Sequence, residues 1–300
     1  MGAIFFKVNK SSKILDLGVS GQYYTCAPDT IYSVIEAIFL SPAVKSIYES
    51  SQSILEEAKK MFEWRCSNEY SWNHELRENF WNILCTRFPS DMLPKGTINA
   101  AVDSPIECLA SVCPLEVVVF GTCCACGSDT GAFHYQFEGP LLVITSNMTE
   151  VPSELGNLCI EMIKKQLKKL FTSQARRVQC QNCKSFDIQL AEITKENLSL
   201  PPILIFQFLV QPSGSQNANC TVEEEMSISD VKYVLTSSVI SKPAHFMAVS
   251  RIGTSFYNLD NLDDSETKRP FDSFKEALCD KVLKVRFCSL IYTYALCSVS

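Results

Sequence analysis

Cys26 stands at the head of the segment CAPDTIYSVIEAIF, and His245 and Asp260 lie far downstream in extended, apolar sequence. A thiol, an imidazole and a carboxylate are the parts of a cysteine-hydrolase triad. The sulfur attacks a carbonyl carbon, the imidazole moves the proton, and the carboxylate fixes the imidazole's tautomer. Ile31, Val34, Ile35, Ile38 and Phe39 recur at the spacing of one helical face, so the spacing predicts an amphipathic helix with Cys26 near its first turn. Unpaired N–H groups and the positive end of the helix dipole there favour thiolate over thiol. Pro28 suits a first turn, where it forfeits no hydrogen bond. Asp29 also suits it, but its charge opposes a nearby thiolate, so a cation from elsewhere in the fold is required, and a protonated His245 would supply one. The competing reading makes Cys26 a core thiol, one of 15 cysteines, since free cysteine is commonly buried.

With only three histidines, the search for a base is short. His74 opens a polar helix start, SWNHELRE, and reads as solvated. His134 sits in AFHYQF, where a structural or zinc-adjacent place is expected. His245 begins HFMAVSRI; after a turn at Gly253 the strand SFYNLDN carries Asp260 back alongside, so a hairpin lets the carboxylate orient the imidazole.

A second constellation lies between these parts. Cys123 and Cys126 form one C-x-x-C pair, and Cys180 and Cys183 form another. Four such thiolates close a tetrahedron around zinc at about 2.3 Å per bond, with no open position, which is a structural site. Cys124 could replace Cys123, but Cys123 gives the C-x-x-C spacing. The alternative, two chance pairs in a cysteine-rich chain, stands beside the zinc reading. A redox pair is disfavoured because neither C-x-x-C has a thioredoxin-like βαβ context.

Positioning these groups requires a helical front, a cysteine-bearing middle and a strand-rich back. Helical spacing recurs near 54–64 and 75–88, and a shorter helix is expected after Ser104. Strands are expected at 115–120, 132–137 and 141–145, then a helix over 155–171 with lysines from Lys164 to Lys169 turned to solvent. The back reads as one antiparallel sheet built from 186–190, 202–209, 232–236, 245–251, 255–259 and 285–294. The chain of 300 residues is 46% apolar, enough for a core, and 27 basic against 33 acidic residues give a net charge of −6. Without a basic stripe, direct nucleic-acid binding is not expected. No signal-peptide core or membrane-length apolar run occurs, and Phe6 breaks a myristoylation pattern. The expectation is an intracellular protein, nuclear or cytoplasmic, monomeric and not membrane-bound, whose thiols are largely reduced or metal-bound.

The stretch AHFMAVSRIGTSFYNLDN resembles the histidine box of the ubiquitin-specific protease superfamily, papain-like cysteine peptidases. The Cys26 segment departs from the usual cysteine box: Gly21 stands where that family has Asn, and Ala27 where it has an aromatic. Cys26, Asp29, Ile31 and Ser33 are more similar to the ubiquitin-specific peptidase-like SUMO isopeptidase branch, as are DSPIECLASV and the two cysteine pairs. The resemblance spans about Gly18 to Tyr294. It implies an α+β, papain-like fold with a helical thumb, an antiparallel β palm and zinc-bearing fingers at about 115–190, all within a single catalytic domain over 1–300. It further implies an isopeptidase that cuts after the diglycine tail of a ubiquitin-like modifier, SUMO in preference to ubiquitin. Cys26, His245 and Asp260 would be catalytic, and Gln22 the candidate oxyanion donor beside the Cys26 N–H. The alternatives are a ubiquitin-specific deubiquitinase and an inactive ubiquitin-fold scaffold.

Overall fold

The computed structural model describes residues 26–41, 53–68, 73–89, 103–112, 114–137, 141–145, 155–172, 179–193, 197–210, 223–228, 230–242, 245–259, 269–277 and 289–296. Among the described residues four helices come first: α1 (Cys26–Phe39), α2 (Ser53–Ser67), α3 (His74–Arg87) and α4 (Asp103–Val112). Asn73 caps α3 by accepting a hydrogen bond from the Leu76 N–H at 3.1 Å, which satisfies a donor the helix itself cannot. His74 is exposed at that start, as its polar surroundings predict.

α1 departs from the expected amphipathic pattern: every residue from Ala27 to Ile38 is buried, polar ones included. One side rests on a sheet and the others on α2 and α3, so no face is left for water.

That sheet has seven strands among the described residues. They are β3 (Leu141–Thr145), β6 (Ile203–Val210), β7 (Glu225–Ile228), β8 (Val231–Lys242), β9 (His245–Ile252), β10 (Ser255–Leu259) and β11 (Ser289–Leu296). The order is β10-β9-β8-β11-β6-β3, with β7 also pairing β8. The strand expected over 232–236 runs on to Lys242 and carries β7, β9 and β11 along its length. All pairs are antiparallel except β3 with β6, which is parallel, so the all-antiparallel expectation is corrected there. Helix α5 (Leu155–Thr172) lies between those two strands in sequence and supplies the crossover that a parallel pair requires.

Both faces of this sheet are covered. Ile203, Ile205, Val239 and Ala295 join the core of α1 to α4, while Leu204, Phe206, Leu235 and Ile240 join the core under α5. Two-sided burial explains the continuous apolar run ILIF in β6, where a half-exposed strand would alternate. α5 docks closely on β7, for a Cβ added at Gly156 would lie 2.1 Å from the Ser227 carbonyl oxygen.

Among the described residues a second sheet of four strands comprises β1 (Leu115–Cys123), β2 (Asp129–Phe137), β4 (Ile188–Leu190) and β5 (Leu198–Ser199). The expected strand over 186–190 therefore belongs here, against β1, and not to the main sheet. It also begins only at Ile188, since Phe186 projects into solvent at 52% exposure. The class is α+β, with helices and mainly antiparallel sheets in largely separate stretches of chain.

Candidate functional site

Cys26 is the first residue of α1 and half-buried. α1 lies across β8 and β9. The Ser250 hydroxyl of β9 donates to the Ser33 carbonyl at 3.4 Å, and Leu40, just past the helix, packs on Ala248, Ile252, Tyr257 and Leu259 at the β9–β10 edge. The helix bearing the thiol is thus seated directly on the strand that begins with His245, itself half-buried and opposite Lys242 of β8. His245 shares strand parity with Met247 and Val249, whose side chains enter the α5-side core, whereas Phe246 packs with the α1 core. By strand parity His245 therefore lies on the α5 side of the sheet, the face opposite the one that α1 covers. The described ladder ends with Leu259 opposite Ala248. Asp260 and Gln22 lie outside the described residues.

Two buried acids on α1 meet arginines from the neighbouring helices. Arg77 of α3 donates from Nε to Asp29 Oδ1 at 2.8 Å, and its Nη2 donates to Oδ2, a bidentate fork. Arg65 of α2 donates from Nε to Glu36 Oε1 at 2.8 Å, and the Tyr32 hydroxyl donates to the same oxygen at 3.2 Å. Burial, and then the Glu36 charge, hold the Tyr32 phenol well above its ordinary pKa. A buried charge without a partner would be strongly unfavourable, so these pairs are what allow α1 to be buried on all sides. They also answer the sequence-level concern over Asp29, whose charge is met by a guanidinium.

The four cysteines do converge. The Sγ atoms of Cys123, Cys126, Cys180 and Cys183 all lie within 4.8 Å of one another, with Cys123–Cys183 at 3.4 Å and Cys126–Cys180 at 3.7 Å. A tetrahedron with 2.3 Å metal–sulfur bonds has edges of about 3.8 Å, so the donor set fits zinc in both size and chemistry. Cys124 is outside the cluster, its backbone N–H donating to the Asp187 carbonyl at 2.9 Å, which decides the register for Cys123. His134 is exposed opposite Val118 and is not one of the clustered donors.

The two knuckles repeat one construction. Gly127 N–H donates to Cys123 O at 2.8 Å, and Lys184 N–H to Cys180 O at 3.0 Å; Cys123 N–H donates to Ser128 O at 2.9 Å, and Cys180 N–H to Ser185 O at 2.8 Å. Gly127 and Lys184, each just after the second cysteine of its pair, are left-handed at φ 70° and 62°. The Ser128 hydroxyl, 3.1 Å from Cys126 Sγ, leads the contacts that lower that thiol to about 6. The Cys180 thiol is also lowered, first by the Cys183 backbone N–H. Although the Ser185 N–H favours the Cys183 thiolate, the neighbouring Cys123 and Cys126 sulfurs push that thiol up to about 12. Sulfurs so close compete for negative charge, a conflict that a dication resolves.

Sequence reasoning missed Arg65 and Arg77, for which local spacing gave no sign. It also missed Ser128 and Ser185, although the repeated C-x-x-C-x-S was in view.

No protein family model and no curated protein matches this chain. Among solved structures it is similar to a chain of the SAGA DUB module bound to monoubiquitin, at 14% identity over 96% of this chain and 70% of that one, with a TM-score of 0.46. It is also similar to the SAGA DUB module bound to ubiquitin aldehyde, at 13% identity over 96% and 70%, with a TM-score of 0.45. A yeast SAGA DUBm structure gives 15% identity over 92% and 67%, with a TM-score of 0.42. Among the described residues, no helix is long and apolar enough to cross a membrane.

Proposed function

We propose that the chain is a cysteine isopeptidase of the ubiquitin-specific protease type, a single catalytic unit that hydrolyses the bond after the C-terminal diglycine of a ubiquitin-like modifier. The observation that carries this reading is the seating of α1, with half-buried Cys26 as its first residue, on the strand that His245 opens. In this reading the Cys26 thiolate attacks the isopeptide carbonyl carbon. The C–N bond then breaks, and protonated His245 gives its proton to the departing lysine amine. Water attacks the thioester with His245 as base, releasing the modifier's carboxylate and regenerating the thiol. A carboxylate is needed to orient the imidazole, and the stretch SFYNLDN that follows the His245 strand offers one. That assignment falls to Asp260. The developing oxyanion needs a donor whose loss costs about 3–4 kcal/mol of barrier, a role proposed for the Cys26 N–H with Gln22. The four cysteines would hold a structural zinc that braces the smaller sheet against the folded modifier.

SUMO is the proposed modifier on the strength of the Cys26, Asp29, Ile31 and Ser33 pattern, with ubiquitin the alternative. Propargyl-armed SUMO and ubiquitin discriminate. The expected result is a covalent adduct with SUMO at least as fast as with ubiquitin, abolished by Cys26→Ala. An adduct with ubiquitin alone overturns the SUMO preference, and reversible binding without any adduct replaces the enzyme with a binding scaffold.

A further inference from the structure

We infer that the buried Arg77–Asp29 pair is an electrostatic positioning device for the Cys26 thiol, so that Arg77, 51 positions away in sequence, sets how readily that thiol ionises. The inference rests on Cys26 as the nucleophile of the isopeptidase reading. Cys26 and Asp29 occupy positions i and i+3 of one helix, where side chains are neighbours about 5–6 Å apart at Cβ. Asp29 is 5% exposed, so water screens its charge poorly. Left alone, this carboxylate would oppose the thiolate one turn away. Arg77 grips both carboxylate oxygens in a fork, which cancels the charge and fixes the first turn of α1 at the same time.

Among the described residues, the other charged and titratable groups on the elements packed around α1 are placed differently from Arg77. Arg65 of α2 is engaged by Glu36, more than two turns from Cys26, and Cys66 of α2 lies beside Tyr32. Cys85 belongs to the far end of α3, where burial raises its thiol. On the sheet, His245 of β9, opposite Lys242 of β8, is the cation that the reaction itself uses. Among the described residues Arg77 is therefore the cation that offsets Asp29, leaving the His245 proton for the thiol and the leaving group.

The experiment follows the rate of Cys26 alkylation by iodoacetamide across pH in the full chain, read at the Cys26 peptide by mass spectrometry, with circular dichroism to check folding. A guanidinium cannot discharge, so Asp29→Asn leaves an uncancelled cation and should lower the apparent Cys26 pKa by about one unit. Arg77→Met should raise it by about as much, and the double variant should return close to the parent. Arg77→Lys should restore most of the parent profile. Unchanged profiles in folded single variants overturn the proposal, as does loss of fold in both singles with a folded double, which would make the pair purely structural. Alkylation needs no modifier, so shifted profiles without probe capture would retain this inference while rejecting the isopeptidase reading.

Discussion

Around Cys26, twelve successive residues of α1 are buried between a sheet and two helices, with two arginine–carboxylate pairs inside the packing. Around the four cysteines, Cys124, Cys126 and Cys183 are exposed, and Phe120 and Phe186 are each 52% exposed. The first region holds its chemistry in place with a core. The second has little apolar material at the knuckles, where the proposed zinc would supply cross-links between sulfurs in place of a core. The proposed nucleophile and the proposed zinc clamp would thus draw on different sources of rigidity, and perturbations should separate them.

The sharpest separation should come from the metal. Cys180→Ser with Cys183→Ser should remove about one zinc per chain, read by elemental analysis, because apparent zinc-site energies run to about 10–16 kcal/mol. Amide exchange should rise at the knuckles and β4 while β8, β9 and α1 stay protected. Equal loss of protection in α1 would break the distinction. Cys124→Ser should keep the metal.

Next in size is the buried ion pair on the helical side. Arg65→Met leaves Glu36 uncompensated and should cost about 3–5 kcal/mol in urea unfolding, whereas Glu36→Gln with Arg65→Met together should cost clearly less. A double variant as damaging as the single would mean that α1 is held by apolar contacts alone. Ile35→Ala, at 0% exposure, should cost about 2–5 kcal/mol with zinc content unaltered.

Smaller effects test the knuckles' backbone. Gly127 has open space around a would-be Cβ but a φ of 70°, so Gly127→Ala should weaken the site by about 1 kcal/mol through conformation alone. Lys184→Gly, at φ 62°, should be neutral or stabilising by a similar amount. At the bottom of the scale, Lys164→Ala removes a surface pair with Glu161 at 3.1 Å and should change stability by less than about 0.5 kcal/mol.

The sequence made local structure legible where a single period ran unbroken. Helix α1, strands β3 and β10, and the cysteine spacing that points to zinc could all be read from neighbouring residues. β8 was seen only in part because TSSVI, buried on both faces, shows no clean alternation, and β7 has only four residues to display one. Phe186 to Leu190 looked like a main-sheet strand because apolar content marks a strand but not the sheet it joins. The His245 strand was read correctly, yet the strand's own pattern did not reveal that α1 lies upon it.

By itself the sequence settled that segments such as α1, β3 and β10 are helical or extended and which residue types could bring chemistry, because backbone periodicity and side-chain type are local properties. Tertiary structure alone decided that Cys123 and Cys126 meet Cys180 and Cys183, that Cys124 is left out, and that Arg77 reaches Asp29 across 48 positions and Arg65 reaches Glu36 across 29. It also decided that an apparently amphipathic helix is buried on every side. Buried charges and crowded sulfurs are tolerable only beside complementary groups, and the fold supplies those from distant parts of the chain, out of reach of any local pattern.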